Sequence, residues 1–337
     1  MSAKILVTVG PNSLNEETIQ QCAAADVYVF RINLSHTPLD KVADCIEKIQ
    51  KWGNVPVCLD SEGAQLRNQS MDGGRVDFVD GAQVDIHFEP VLGDAGNISF
   101  SPRGAAEQFQ VGDVVRLDFN GAQLEVLERR DDRCVATVTK GGHVGSNKAA
   151  DIDRHIDMEA ITEKDRGAIR IGREMGVRHF ALSFASTPED VDRMRELCGP
   201  EAVIISKIET HRALANLSAI LRQTDEILID RGDLSRELPL EKIPFLQRRI
   251  VSMAKAHGVP VYIATNLLES MVEAHAPTRA EVNDVVSSLL MGADGLVLAA
   301  ETAIGQYPAD CVHMVRRLAD LQLKWTEHSS IDDILVF

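Results

Sequence analysis

Lys207 and Glu209 stand two residues apart at the end of the apolar run Val203–Glu209, and Asp233 closes the next polar turn, Asp230-Arg231-Gly232-Asp233. Side chains alternate along a strand, so Lys207 and Glu209 point to the same side. Two carboxylates, Glu209 and Asp233, can hold Mg²⁺ or Mn²⁺ and leave positions open for substrate oxygens. Lys207 sets a positive charge beside that ion. Arg31, in Phe30-Arg31-Ile32-Asn33-Leu34-Ser35-His36, adds a forked donor suited to phosphate or carboxylate. Such a set suits phosphoryl transfer, in which positioning and neutralisation of charge supply most of the catalysis. It would serve equally to stabilise the enolate of a 2-oxo acid. The plainer alternative is an ion-pair network at the end of a sheet.

These residues need elements to bring them together. Short apolar runs predict strands at Ile5–Val9, Val27–Asn33, Val55–Asp60, His179–Phe184, Val203–Glu209, Glu226–Asp230, Val259–Thr265 and Gly295–Ala299. Stretches with apolar residues three or four apart predict helices after most of them, among them Leu39–Lys51, Glu189–Leu197, Leu240–Ala256, Arg279–Met291 and Ala309–Glu327. Strands alternating with helices mean a parallel sheet. Eight of them, with no glycine-rich dinucleotide fingerprint after the first, predict a closed (β/α)₈ TIM barrel. Five of the strand ends are polar, and a barrel gathers its strand ends at one mouth.

Between the third and fourth strands the pattern changes. Turn signals (Asp72-Gly73-Gly74, Asp80-Gly81, Gly93-Asp94, Asn120-Gly121, Gly141-Gly142) separate short strands, with alternation in Val114–Phe119 and Val135–Thr139. This predicts a small β-barrel lid domain over residues 69–155, inserted after strand three of a barrel formed by 1–68 and 156–337. The ten or so residues beyond the last helix leave no room for a further domain.

The composition is that of an ordinary globular protein. Of 337 residues, 45% are hydrophobic and only 4% aromatic, so the core is aliphatic. A formal charge of -16 argues against a nucleic-acid surface, which needs clustered Lys and Arg. The six cysteines are scattered without metal-ligand spacing and read as buried thiols of a reducing compartment. The N-terminus lacks the pattern of a signal peptide and no run reaches membrane-spanning length, so the expected location is cytoplasmic, with no membrane partner.

The chain resembles the pyruvate kinase family over nearly its whole length. The resemblance is carried by Val7-Thr8-Val9-Gly10-Pro11, Arg31-Ile32-Asn33-Leu34-Ser35-His36, Gly145-Ser146-Asn147-Lys148, Ile204-Ile205-Ser206-Lys207-Ile208-Glu209, Arg231-Gly232-Asp233-Leu234, Ala264-Thr265 with Leu268-Glu269-Ser270-Met271, Pro277-Thr278-Arg279-Ala280-Glu281-Val282, and Glu301-Thr302-Ala303 before Tyr307-Pro308. It implies a barrel with a β lid and a divalent ion on Glu209 and Asp233. It further implies that Lys207 sits beside the phosphoryl group and that Arg31 holds its oxygens. Gly232 and Asp233, through their backbone, and Thr265 would receive a pyruvate-like carboxylate. Asn33, Ser35, Asp60 and Ser61 match a K⁺ site, and Thr8, Pro11, His36, Arg67 and Lys148 match contacts to ADP or ATP. The partners so implied are a small acid and a nucleotide, in a homo-oligomer. The family's C-terminal regulatory domain has no counterpart in these residues, which implies no effector control of the usual kind.

Several positions depart from the family pattern. The usual lysine of strand three is Glu62 and the usual glutamate is Gln65, which bears on any K⁺ requirement. A small residue before Arg-Gly-Asp is replaced by Asp230, and the Ser-Gly-Glu of strand eight by Ala299-Ala300-Glu301. An expected arginine is missing from Ser183-Phe184-Ala185-Ser186, and Asn266 stands where glutamine is usual. The expected activity is metal-dependent phosphoryl transfer between phosphoenolpyruvate, or a related enol or 2-oxo acid, and ADP or ATP. The alternatives are a lyase or aldolase using the same enolate chemistry without a nucleotide, and a non-catalytic binding relative.

Overall fold

The computed structural model describes every residue except Met1, Ala64, Phe119, Asn120, Asp153, His155 and Phe337. The end of the alternation expected at Val114–Phe119 and the Asn120 half of one turn signal therefore lie outside the described residues. The chain forms two compact units, residues 1–63 with 161–337, and 64–160.

The first unit is a closed barrel of eight parallel strands: β1 Lys4–Val9, β2 Val29–Asn33, β3 Val57–Asp60, β4 His179–Leu182, β5 Val203–Ile208, β6 Glu226–Asp230, β7 Val261–Ala264 and β8 Gly295–Leu298. Each strand pairs with its sequence neighbours, and β8 closes on β1 through registers such as Lys4 with Gly295. This is the architecture expected from the alternation of apolar runs and amphipathic stretches. Inside the barrel, Leu6, Val29, Cys58, Ala181, Ile205, Leu228, Tyr262, Ala264 and Val297 pack as one cluster. Ile205 belongs to that cluster, and Lys207, two residues on, faces the same interior at the strand's carboxyl end.

The helices are held where their N-terminal signals put them. Thr162, Thr187 and Thr278 each open a capping box, with Asp165, Asp190 and Glu281 returning a side chain to the cap's own N–H. Pro188 and Pro308 occupy first-turn positions, where a missing N–H costs nothing. The expected helix Leu240–Ala256 is a short 3₁₀ turn, Leu240–Lys242, followed by an α-helix from Ile243 to His257. Pro244 explains the break, since it fits the first turn of a helix and not its interior. A short helix, Ile331–Val336, was not anticipated.

The second unit is all-β. Seven strands form one sheet and Arg75–Phe78 pairs with Gly142–Gly145 in a separate ribbon. Its core is its own, built around Phe78, Val84, Ile86, Ile98, Phe100, Phe109, Val115, Leu124, Ala136 and Val138.

Candidate active site

The strongest concentration of buried charge lies where β5 and β6 end. Lys207 is buried, and its ammonium lies 3.1 Å from Glu209, 3.4 Å from Asp230 and 4.0 Å from Asp60. Glu209 is 1% exposed. Its Oε1 accepts the Phe184 amide at 2.6 Å, whereas Oε2, although near Lys207, accepts no hydrogen bond. Phe184 adopts a left-handed backbone at φ 55°, which a bulky residue rarely takes unless its surroundings impose it. The ligand-capable oxygens of Glu209, Asp230 and Asp233 all lie within 4.8 Å of one another. All three donors are carboxylate oxygens, the set that suits a hard divalent cation.

Arg31 comes to the same cluster from β2. Its Nε donates to the Thr8 hydroxyl at 3.1 Å, and that hydroxyl donates in turn to the Leu298 carbonyl at 2.7 Å. The guanidinium lies 3.5 Å from Asp60, yet Nη1 is buried without a hydrogen-bond acceptor. Nearby, Ser183 bridges the ends of β3 and β4. Its hydroxyl donates to the Ser61 carbonyl at 2.7 Å and receives Lys207 at 3.3 Å, and its amide donates to the Ser61 hydroxyl. Asn33 is in register with Asp60, and its side chain accepts the Ser35 amide. The positions expected to hold a monovalent ion thus lie on adjoining strand ends, β2 and β3.

At β7, Thr265 and Asn266 are both left-handed, with φ 75° and 54°. The turn brings the Thr265 hydroxyl to 2.7 Å from Asp230 Oδ1 and offers its carbonyl to Arg231. Arg231 is anchored by Asp284 at 2.7 Å and so is engaged outside the Lys207 cluster. Gly232 is required here by space, because a Cβ would come within 2.9 Å of the Thr265 methyl. At β8, Glu301 is buried and accepts the amides of Leu268 and Ala299, which fixes the backbone of the altered Ala299-Ala300-Glu301 segment.

The electrostatics follow from this crowding. Burial alone would lower the Lys207 pKa, but Asp60, Glu209, Asp230 and Asp233 together drive it above its ordinary value, so the ammonium stays charged. Burial raises Glu209, and the neighbouring Asp233 and Asp230 reinforce that against the opposing pull of Lys207. Asp233 is raised by burial and by Asp230. Asp230 moves the other way: burial would raise it, but Lys207, the Thr265 hydroxyl and Arg31 outweigh burial and keep it ionised.

The remaining expected residues are placed as follows. On the barrel, Pro11 and His36 are exposed, and the Thr8 hydroxyl is already committed to Leu298 and Arg31. In the β unit, Arg67 bridges Ala149 and donates to the Asn147 carbonyl, while Lys148 sits beside it, bonded through its backbone to Asn68 and 3.9 Å from Asp118. Glu62 pairs with Lys164 at 3.5 Å, so the charge reversal is answered locally. Sequence reasoning passed over three participants: Ser183 as a partner of Lys207, the Phe184 amide on Glu209, and Arg236 on Asp233 at 3.1 Å. Arg236 stands three residues after Asp233 on one helix, a spacing that could have found it. The Phe184 amide depends on a backbone turn with no signature in residue type.

A (β/α)₈ barrel whose strand ends converge on a buried ammonium, a guanidinium and a group of carboxylates is the frame of a barrel enzyme built for anionic substrates. Residues 1–312 match the family description "Pyruvate kinase, barrel domain". The chain is 34% identical over 329 residues to the pyruvate kinase of Thermotoga maritima, covering 94% of this chain and 70% of that protein. It is 33% identical over 323 residues to the pyruvate kinase of Methylorubrum extorquens, covering 94% and 68%. Among solved structures, a pyruvate kinase from Cryptosporidium parvum superposes with a TM-score of 0.86 at 29% identity, covering 97% of this chain and 70% of that one. The chain belongs to the pyruvate kinase family, and it is a pyruvate kinase-like phosphotransferase.

Proposed function

We propose that the barrel mouth transfers a phosphoryl group between phosphoenolpyruvate, or a related enol or 2-oxo acid, and ADP or ATP. The observation that carries this is the buried Lys207–Glu209 pair at 3.1 Å, with the carboxylates of Asp230 and Asp233 within reach. Glu209 and Asp233 are proposed to hold Mg²⁺ or Mn²⁺. The fit rests on the all-oxygen donor set and on Glu209 Oε2, buried with no hydrogen bond to accept. A bound divalent cation would supply charge stabilisation to phosphoryl and enolate oxygens.

The chain's own residues do the rest. Lys207, fixed by Ser183 and surrounding acids, keeps its proton and offsets negative charge on the phosphoryl group in flight. Arg31, held by Thr8 and Asp60, presents Nη1 to the same oxygens. The amides of Gly232 and Asp233 with Thr265 are assigned to the acid's carboxylate, and Asn33, Ser35, Asp60 and Ser61 to a K⁺ ion. Thr8, Pro11 and His36, and separately Arg67 and Lys148, are assigned to the nucleotide. The partners of this reading are a small acid and a nucleotide, in a cytoplasmic homo-oligomer without nucleic acid. No helix among the described residues is long and apolar enough to cross a membrane.

One observation favours a second reading. The Thr265 hydroxyl is turned onto Asp230 rather than left open, and a mouth so altered suits lyase chemistry on a pyruvate-like acid. Incubation with Mg²⁺, ADP and phosphoenolpyruvate, followed by assay of pyruvate and ATP, separates the two. The phosphotransfer reading expects turnover that falls by at least about 100-fold in Lys207→Met, the scale of losing one preorganised electrostatic group, and that stops on removing the divalent ion. Absence of both turnover and ATP binding would instead favour the lyase.

A further inference from the structure

We infer that Asp230 is a third acidic ligand of the divalent-cation site, an inference that rests on the metal reading above and deepens it. The first ground is charge. The linked side chains here are Asp60, Glu209, Asp230 and Asp233 on one side and Arg31, Lys207 and Arg236 on the other. With a small neutral residue at 230, as the family pattern has it, three acids would face three bases. Asp230 adds a fourth acidic side chain to a cluster that holds three basic ones. Acids brought this close are costly to ionise together, and a cation among their oxygens relieves the repulsion.

The second ground is geometry. Each of the three carboxylates has one oxygen tied by a protein donor: Glu209 Oε1 by the Phe184 amide, Asp230 Oδ1 by the Thr265 hydroxyl, Asp233 Oδ1 by Arg236. Tying one oxygen of a ligating carboxylate orients the other, which is how outer groups hold metal ligands in place. Glu209 Oε2, on a residue 1% exposed, accepts no hydrogen bond and lies 3.1 Å from the Lys207 ammonium, and Asp230 Oδ2 lies 3.4 Å from it. In this arrangement Lys207 is the resident cation of a pair of acids whose unanchored oxygens are turned toward it.

A chain with this third ligand binds a hard divalent ion without help from substrate or nucleotide. The test uses Mn²⁺ alone with the intact protein, followed by the EPR signal of unbound Mn²⁺ and by water-proton relaxation of the bound ion. Asp230→Ala is expected to weaken Mn²⁺ binding by about 10-fold or more and to add about one coordinated water. Asp230→Asn, which keeps an oxygen and loses the charge, falls between. Thermal melts of each variant establish that it is folded. Unchanged affinity in Asp230→Ala, alongside lost binding in Glu209→Gln, overturns the inference and leaves the two-carboxylate metal reading intact. Weaker binding with no added water also overturns it, because Asp230 then acts through charge alone. Failure of the unaltered protein to bind Mn²⁺ alone also overturns the inference, and the two-carboxylate reading, in which substrate oxygens complete the ion's shell, is then tested by the same titration with the acid present.

Discussion

Arg31 serves two partners of opposite demand, and this separates its roles experimentally. Nε is spent on Thr8 and the charge is shared with Asp60, while Nη1 keeps an unmet donor inside the cluster. Lysine at this position would preserve the charge facing Asp60 but lose the planar fork, which is what recognises phosphate and carboxylate oxygens. Arg31→Lys is therefore expected to lower turnover by about 100-fold while leaving Mn²⁺ binding without substrate within about 2-fold, since Asp60 keeps its counter-ion. Steady-state kinetics with the acid varied, beside metal titration, would check this. Equal losses in both measurements would mean that Arg31 supports the acid cluster rather than the substrate. Most of this residue-scale picture was legible in advance. Lys207 and Glu209 followed from strand alternation, and Asp233 and Arg31 from polar strand ends. The anchors were not legible, because a main-chain amide such as that of Phe184 can be aimed at a carboxylate by any residue that tolerates the turn.

At the scale of elements, the strands end before the chemistry starts. Apolar runs suggested strands through Phe184, Glu209 and Thr265, whereas β4, β5 and β7 stop at Leu182, Ile208 and Ala264. The residues beyond leave the ladder, and at Phe184, Thr265 and Asn266 the backbone turns left-handed. Hydrophobic patterning sees burial, and Phe184, Glu209 and Thr265 remain buried or half-buried after the strand has ended, so the pattern overruns. One buried carboxylate ties such an end down. Asp165 caps its own helix by accepting the Thr162 amide and hydroxyl, and also accepts the amides of Glu62 and Gly63 just past β3. Asp165→Ala would orphan three backbone donors at a fully buried position, at a cost of about 3 kcal/mol. Chemical denaturation of the two proteins should show that difference. A change below about 0.5 kcal/mol, the range of ordinary surface substitutions, would mean that the segment after β3 is held by other contacts. Asn in its place should recover part of the loss, because it can still accept at one oxygen.

The barrel as a whole has two polar ends with different work. The carboxyl ends carry the candidate site, and Lys4, His179, Glu226 and Tyr262, at the amino ends of their strands, close the other end with Tyr28, which stands just before β2. Lys4 donates to Glu226 at 2.8 Å and to Tyr262 at 3.0 Å, Tyr28 donates to Glu226 at 3.0 Å, and Lys4 stacks 3.8 Å from the centre of the Tyr28 ring. Nothing in the spacing of these residues announced the cluster, since it exists only once the barrel closes. His179 Nε2 lies 3.3 Å from the Tyr28 hydroxyl, and its Nδ1 is buried without a partner. Burial lowers its pKa below the ordinary 6.5; Lys4 acts in the same direction and Glu226 against it. Between pH 6.5 and the depressed folded value, the unfolded chain therefore holds a proton on this residue that the folded chain refuses. The stability His179 contributes is present above pH 6.5 and is lost as pH falls through that window, by at most about 1.4 kcal/mol per pH unit. His179→Gln cannot take up that proton in either state, so its stability should fall less steeply from pH 7 to 5 than that of the parent, the other histidines and the acids being common to both. Urea unfolding across that range measures the two slopes. Parallel curves would show that His179 takes up its proton equally in the folded and unfolded chain, and that the amino-terminal cluster closes the barrel without holding the imidazole neutral.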